Sequence, residues 1–417
     1  MYKIPYGNSQ IIFSLPENIK VDLILPDYFP PQKETELNLS IKNALTHPID
    51  EIKKRSFVKG KKVGIAINDP TRPVPHSILL PPLLDYLKNQ GVNKEDISFF
   101  IATGTHKPLY KDDFTKFLPS LIIDHYQIHS HDCDDTANLL FLGATSRNTP
   151  VFVNKIFFEL DTKIVIGNIE PHHFMGFSGG VKSAAIGLAG RETININHAL
   201  LLDPLSYIGN YENNPTRQDV EEIGEMMDIT AALNVVMNSE KKIINTFWGT
   251  PRNIMKAGVP ISRQVCQKKI TLKYDLVIAS PGGYPKDINL YQAQKAITHV
   301  NQIAKEKGTI ILLSECIEGL GSTLFEEYLK NFSSFDEIIE HFNKTKFKVG
   351  PHKAYQLAIQ GVRNRLILVS SMDESIVKKT LLESAKSMKD AMNLVGEISE
   401  SDFSIAIVPF ATNTVLY

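Results

Sequence analysis

The chain has 417 residues, 43% of them hydrophobic, which is enough to bury a sizeable core; a guide of roughly 150 residues per domain favours two domains. With 45 basic against 46 acidic residues and a formal net charge of −1, nothing marks nucleic acid or an anionic membrane as a partner, and small polar substrates fit better. Three widely spaced cysteines, Cys133, Cys266 and Cys316, make neither a disulfide framework nor a thiolate zinc cluster and imply a reducing cytoplasm.

In chain order, residues 1–25 alternate short apolar and polar stretches and read as a β-hairpin, without the continuous apolar core of a signal peptide. No run approaches the roughly 20 apolar residues of a membrane span, so sequons such as Asn38-Leu-Ser carry no meaning here. Residues 33–46 read as a short helix. The runs at 61–69, 97–104 and 163–169 are short, nearly continuously apolar and separated by helical patterns, as buried parallel strands are. A helix near 216–227, strands at 229–238 and 242–249, and a helix ending near Lys269 follow. A second alternating series has strands at 274–280, 309–315, 365–371 and 403–410, with helical periodicity over LYQAQKAITHVNQIAKEKG between the first two. The expected fold is therefore α/β, with two Rossmann-like α/β domains: an N-terminal domain over 1–270 and a C-terminal domain over 271–417. Ligands of open α/β sheets bind outside the carboxyl ends of the strands, which predicts a site in the interdomain cleft.

The residues that end these strands carry the chemistry. In NDPTRPVP (68–75), Pro70, Pro73 and Pro75 stiffen a loop that holds Asp69 and Arg72, and the arginine fork suits a carboxylate or phosphate; a surface Asp-Arg pair is an equally good reading of that motif alone. His106 in IATGTHKP can give or take a proton near neutrality, or simply cap a strand. The stretch from Gly167 to His198 is rich in glycine and contains His172, His173, Lys182 and His198. Its GFSGGVKS segment matches a phosphate loop at Gly176, Lys182 and Ser183 but has Val181 where the second glycine belongs, so a standard P-loop is rejected while an anion nest built on Gly179 and Gly180 stays open beside plain glycine packing. A desolvated Lys182 would be a nucleophile toward a carbonyl-type cofactor. His198 alone lacks the spacing of a zinc site. After SPGGY, Gln292 and Lys295 share a helical face that His299 continues, and a solvated helix surface is the bland alternative.

Taken together, NDPTRPVP, ATGTHKP, EPHHFMGFSGGVK, His198 and LYQAQK, in this order, resemble the nickel-dependent lactate racemase family. The resemblance implies a nickel-pincer pyridinium mononucleotide bound covalently to Lys182, with nickel held by the cofactor and by His198. It assigns His106 and His172 to a catalytic pair, Asp69, Arg72, Gly179 and Gly180 to cofactor binding, and Arg72, Tyr291, Gln292 and Lys295 to substrate. His173 is left outside the site. The implied reaction is racemisation or epimerisation of a small 2-hydroxy acid, lactate the leading candidate, by reversible hydride transfer from C2 through a 2-keto acid. It also implies cofactor-synthesis enzymes as maturation partners. Ser183-Ala-Ala-Ile departs from the lactate enzymes and leaves the particular acid open. An NAD-dependent 2-hydroxy acid dehydrogenase is the alternative enzyme, disfavoured by the missing G-x-G-x-x-G; a non-catalytic nucleotide-binding protein leaves two histidines and a lysine unexplained.

Overall fold

The computed structural model describes residues 1–16, 19–52, 57–396 and 403–416. The chain divides into two compact units, Tyr28–Val265 and a second made of Met1–Asp27 with Cys266–Tyr417. The fold is mixed α/β with parallel sheets.

In the unit Tyr28–Val265, a six-stranded sheet runs in the order Ile243–Gly249, Ala231–Met237, Thr162–Asn168, Val63–Asn68, Ile97–Ala102, Gln127–Ser130. All neighbours are parallel except the antiparallel pair at the Ile243–Gly249 edge. The central strands are apolar on both faces because both are covered: Thr162–Asn168 is buried at every position and Val63–Asn68 at all but its last. One face packs on Ile41, Leu79, Leu83, Leu87 and Trp248. Strand order reverses between Val63–Asn68 and Thr162–Asn168, so the loops leaving their carboxyl ends part to opposite sides and leave a crevice.

The other unit has an all-parallel six-stranded sheet, Glu383–Ala385, Arg365–Val369, Ala304–Leu313, Tyr274–Ala279, Ser404–Val408, Lys20–Leu23. Three expectations are corrected here. The N-terminal hairpin covers only Tyr2–Tyr6 and Ser9–Phe13; Lys20–Leu23 is instead a parallel edge strand beside Ser404–Val408, and residues 17 and 18 lie outside the described residues. The first 27 residues therefore belong with the C-terminal unit rather than with a domain over 1–270, and the division falls at Val265/Cys266. The helical reading of 290–308 fails at its end. Two short helices, Leu290–Ala293 and Lys295–Val300, give way to a strand from Ala304, which takes the polar AKEKG segment in as its exposed start through a register shift between Tyr274 and Leu276.

Candidate functional site

At the crevice of the unit Tyr28–Val265, the loop after Val63–Asn68 turns back on itself, with the Arg72 amide donating to the Asp69 carbonyl at 3.1 Å. This buries the Asp69 carboxylate at 5% exposure. Its Oδ1 accepts from the Thr71 amide at 3.1 Å and hydroxyl at 2.6 Å, and its Oδ2 lies 2.5 Å from His106 Nδ1. Burial alone would raise the carboxyl pKa, but the hydrogen bond and charge of His106, with Arg72 and Thr71, outweigh it and hold Asp69 below the ordinary value. Facing an ionised Asp69, the His106 ring keeps a proton on Nδ1, so that Nε2 is the nitrogen that gives up and takes a proton. Behind this pair His76 is 3% exposed, and burial pushes it down to about 4 against the pull of Asp69, so it is neutral.

The loop after Thr162–Asn168 carries His172, His173 and Phe174, and Phe174 also meets His198 of the helix Arg191–Ala199. The His172 and His173 rings stack at 4.6 Å and 30°, and Phe174 meets His172 at 4.8 Å, His173 at 4.6 Å and His198 at 5.1 Å, all edge to face. His173 thus belongs to the cluster and does not point away from it. The Met175 amide donates to His172 Nδ1 at 3.2 Å, which puts the proton of a neutral ring on Nε2. His106 and His172 are therefore set in opposite senses: one presents a lone pair, the other an N–H. His198, on the helix Arg191–Ala199, has Nδ1 3.2 Å from Asn197 Oδ1.

Lys182 is half-buried and opens the short helix Lys182–Ala185. The loop before it has positive φ at Gly179 (92°) and Gly180 (59°), which an L side chain rarely adopts. A Cβ at Gly179 would lie 2.7 Å from Asn234 Oδ1, and one at Gly180 2.6 Å from Arg217 Nη2. The glycines thus admit the protein's own side chains: the Gly180 amide donates to Asn234 Oδ1 at 2.8 Å, and the Gly179 carbonyl accepts from Arg217 Nη1 at 3.1 Å. Val181 takes an ordinary helical conformation (φ −71°) and packs against Gly224, so the position that departs from a P-loop requires no glycine. Among the described residues, the buried Nδ2 atoms of Asn168 and Asn234 have no hydrogen-bond partner. Both residues stand by this loop, on the strand that leads into it and on its neighbour.

In the other unit, Asn289 caps the helix Leu290–Ala293 by accepting from the Gln292 amide at 3.1 Å. Lys295 Nζ donates to Gln292 Oε1 at 2.5 Å, so these two side chains act as one polar group. Tyr291 packs edge-on against Phe325 and lies under Lys353, 5.8 Å from Nζ to the ring centre. His299 does not continue this face. It is buried, with Nδ1 2.6 Å from the Ala411 carbonyl, and burial pushes it down to about 4, so it serves the core.

Residues 6–209 match the family described as Lactate racemase N-terminal domain, and residues 270–415 match that described as Lactate racemase C-terminal domain. The chain belongs to the lactate racemase family. It is 30% identical to a lactate racemase of Thermoanaerobacterium thermosaccharolyticum over 99% of this chain and 98% of that one, and 29% identical to a lactate racemase of Lactiplantibacillus plantarum over 89% and 88%. Its structure matches that of the lactate racemase apoprotein from T. thermosaccharolyticum with a TM-score of 0.91 and 28% identity, covering 100% of this chain and 99% of the other. A protein from Thermotoga maritima matches with a TM-score of 0.69 at 20% identity, covering 94% and 100%, a likeness of fold alone. The protein is an isomerase of the racemase type.

Sequence reasoning missed four residues of this lactate racemase family member: Asn214, Arg217, Asp219 and Glu221, on or capping the helix Pro215–Met226. All four are buried. Asn214 Nδ2 donates to the Phe174 carbonyl at 2.7 Å, Arg217 reaches the Phe177 and Gly179 carbonyls, and Glu221 pairs with Arg217 at 2.5 Å. Charged residues on a helix ordinarily read as a solvated face. The one available signal was their density beside the small and apolar positions Val220, Ile223 and Gly224. No helix of the described residues is long and apolar enough to cross a membrane.

Proposed function

We propose that the protein racemises or epimerises a small 2-hydroxy acid, with lactate the leading candidate, by reversible hydride transfer from C2 through a 2-keto acid. The observation that carries this reading is the Asp69–His106 pair at the sheet crevice, in a chain whose curated relatives are lactate racemases. Such a substrate needs a base for its hydroxyl proton as C2 loses hydride, and a proton donor as hydride returns to the other face. His106, backed by Asp69, takes the hydroxyl proton at Nε2. His172 holds its proton at Nε2 and supplies a hydrogen bond to the substrate oxygen as it becomes a carbonyl. For the pair to exchange roles, as the opposite enantiomer requires, His172 must give up the Met175 amide. Arg72 has the fork to hold a substrate carboxylate, and Lys295, Gln292 and Tyr291 are the substrate-binding residues proposed on the other unit.

The cofactor of this reading is a nickel-pincer pyridinium mononucleotide, which when bound supplies the hydride acceptor. The donor set suits it. Lys182 offers the amine for a covalent tether, and Arg72 lies beside the crevice with charge for a phosphate. The Asn168 and Asn234 amides, buried by the loop of Gly179 and Gly180, have donors to give to acceptor oxygens. Among the described residues, the one grouping of three metal-ligating side chains is Asp132, Cys133 and Asp134, which does not include His198. His198 as a single protein ligand therefore fits a metal whose remaining ligands arrive with the cofactor. Cofactor-synthesis enzymes would be the maturation partners.

Co-expression with such enzymes, followed by intact-mass and nickel analysis, tests the reading. The expected result is a covalent adduct on Lys182 with bound nickel. Lys182→Ala should lose adduct and turnover while keeping the fold. Wild-type protein carrying neither adduct nor nickel would overturn the proposal.

A further inference from the structure

The helix Pro215–Met226 touches both halves of the candidate site through buried polar side chains. Arg217 is fully buried and spends its guanidinium in two directions. Its Nε and Nη2 donate to Glu221 Oε1 at 2.9 and 2.5 Å, while Nη1 donates to the carbonyls of Phe177 and Gly179 at 3.2 and 3.1 Å. The Gly179 carbonyl also accepts the Lys182 amide at 3.3 Å, so one oxygen joins the guanidinium to the lysine backbone. Tyr211 completes the brace, its hydroxyl donating to Glu221 Oε1 at 3.0 Å and its ring lying 5.4 Å from the guanidinium carbon.

Two residues along, Asp219 is also fully buried. It accepts from the Thr145 hydroxyl at 2.5 Å, the Thr149 hydroxyl at 2.9 Å and Asn197 Nδ2 at 2.8 Å. Asn197 Nδ2 donates as well to the Thr216 carbonyl at 3.1 Å, so its amide is locked with Oδ1 toward His198 Nδ1. A histidine whose Nδ1–H is held by a fixed acceptor offers Nε2 to a metal, in the manner of outer-shell partners that orient ligating histidines.

We infer that the helix Pro215–Met226 is the positioning element of the cofactor site: Arg217 with Glu221 sets the loop that presents Lys182, and Asp219 through Asn197 sets the ring that presents His198. This rests on the cofactor reading above and assigns each half of the site its own support. In this assignment Arg217, Glu221, Asp219 and Asn197 are positioning residues, acting through Lys182 and His198.

The test uses full-length protein co-expressed with the cofactor-synthesis enzymes, reading three quantities separately: adduct mass on Lys182, nickel retained after dialysis against a chelator, and melting temperature. Removing one partner of a buried pair strands the other charge, so both are neutralised together in Arg217→Met with Glu221→Gln. That variant should lose at least tenfold in adduct while still melting cooperatively. Arg217→Lys keeps the charge opposite Glu221 but lacks the fork that reaches both carbonyls; it carries the same expectation should the double variant not accumulate as folded protein. Asn197→Ala leaves Asp219 its two threonine donors and should keep the adduct within about twofold, while nickel affinity falls roughly 10- to 100-fold. Normal adduct in the Arg217 variants, nickel held as in wild type by Asn197→Ala, or loss of both quantities together in every variant would overturn the inference. A wild-type control without adduct and nickel would instead overturn the cofactor reading on which it stands.

Discussion

A buried carboxylate is expensive unless its oxygens are satisfied, and Asp69 satisfies both with His106 and Thr71. The arrangement fixes which His106 nitrogen holds the proton, and that choice makes the ring a base. Asp69→Asn should therefore keep the fold and any adduct on Lys182 yet lower kcat by roughly 10²- to 10⁴-fold, the usual worth of a positioned general base; steady-state rates beside intact mass check this. An undiminished kcat would show that proton transfer does not pass through His106. At this scale the strand ends that carry Asp69 and His106 were legible. Asp69 and His106 follow strands that their apolar runs betray, and the carboxyl ends of such strands are where ligands bind. The contact between them was not legible, because they stand 37 residues apart in sequence. Nor was the place of His173: adjacent side chains diverge in an extended strand, but here a tight hairpin after Pro171 stacks the two rings.

Among elements, the loop Gly176–Lys182 depends on neighbours that its own sequence does not reveal. Positive φ at Gly180 and the proximity of Arg217 Nη2 leave no room for a methyl group. Gly180→Ala should cost roughly 2–4 kcal/mol, from the left-handed backbone and overpacking together, visible as a lower denaturant midpoint. An unchanged midpoint would mean that the loop relaxes freely. The same loop shows why a motif can be partly matched for another reason. Its glycines satisfy packing against Asn234 and Arg217, and Val181 fills the space over Gly224. Strand positions were read well because burial on both faces leaves a continuous apolar run. The two misread elements, Lys20–Leu23 and the start of Ala304–Leu313, are half-exposed or edge segments whose polar side chains carry no such signal.

Across the whole molecule, each compact unit carries a buried histidine that its surroundings hold far below the ordinary value, His76 in one and His299 in the other. Burial lowers both from the ordinary 6.5 to about 4, so between those values the unfolded chain binds protons that the folded chain refuses. Stability is full above pH 6.5 and falls as pH drops toward 4, where each histidine has cost about 3 kcal/mol at roughly 1.4 kcal/mol per pH unit. Denaturant unfolding at pH 7.5, 5.5 and 4.5 should show this loss, and His299→Gln should flatten it for the unit that contains it. Equal pH dependence of wild type and variant would exclude His299 as a source.

The sequence by itself determined the alternation of buried strands and helices, the family, and the set of polar residues at strand ends, because these are local: burial on both faces writes itself into consecutive residues, and loops after strands carry the chemistry. Only the tertiary structure decided that Met1–Asp27 belongs with the C-terminal unit, that Arg217 and Asp219 turn inward rather than to solvent, and that His106 and His172 hold their protons on opposite nitrogens. Each of those outcomes is a hydrogen bond or a strand pairing with a partner distant in the chain or set by a turn, and such partners are chosen by the folded geometry rather than by residue type.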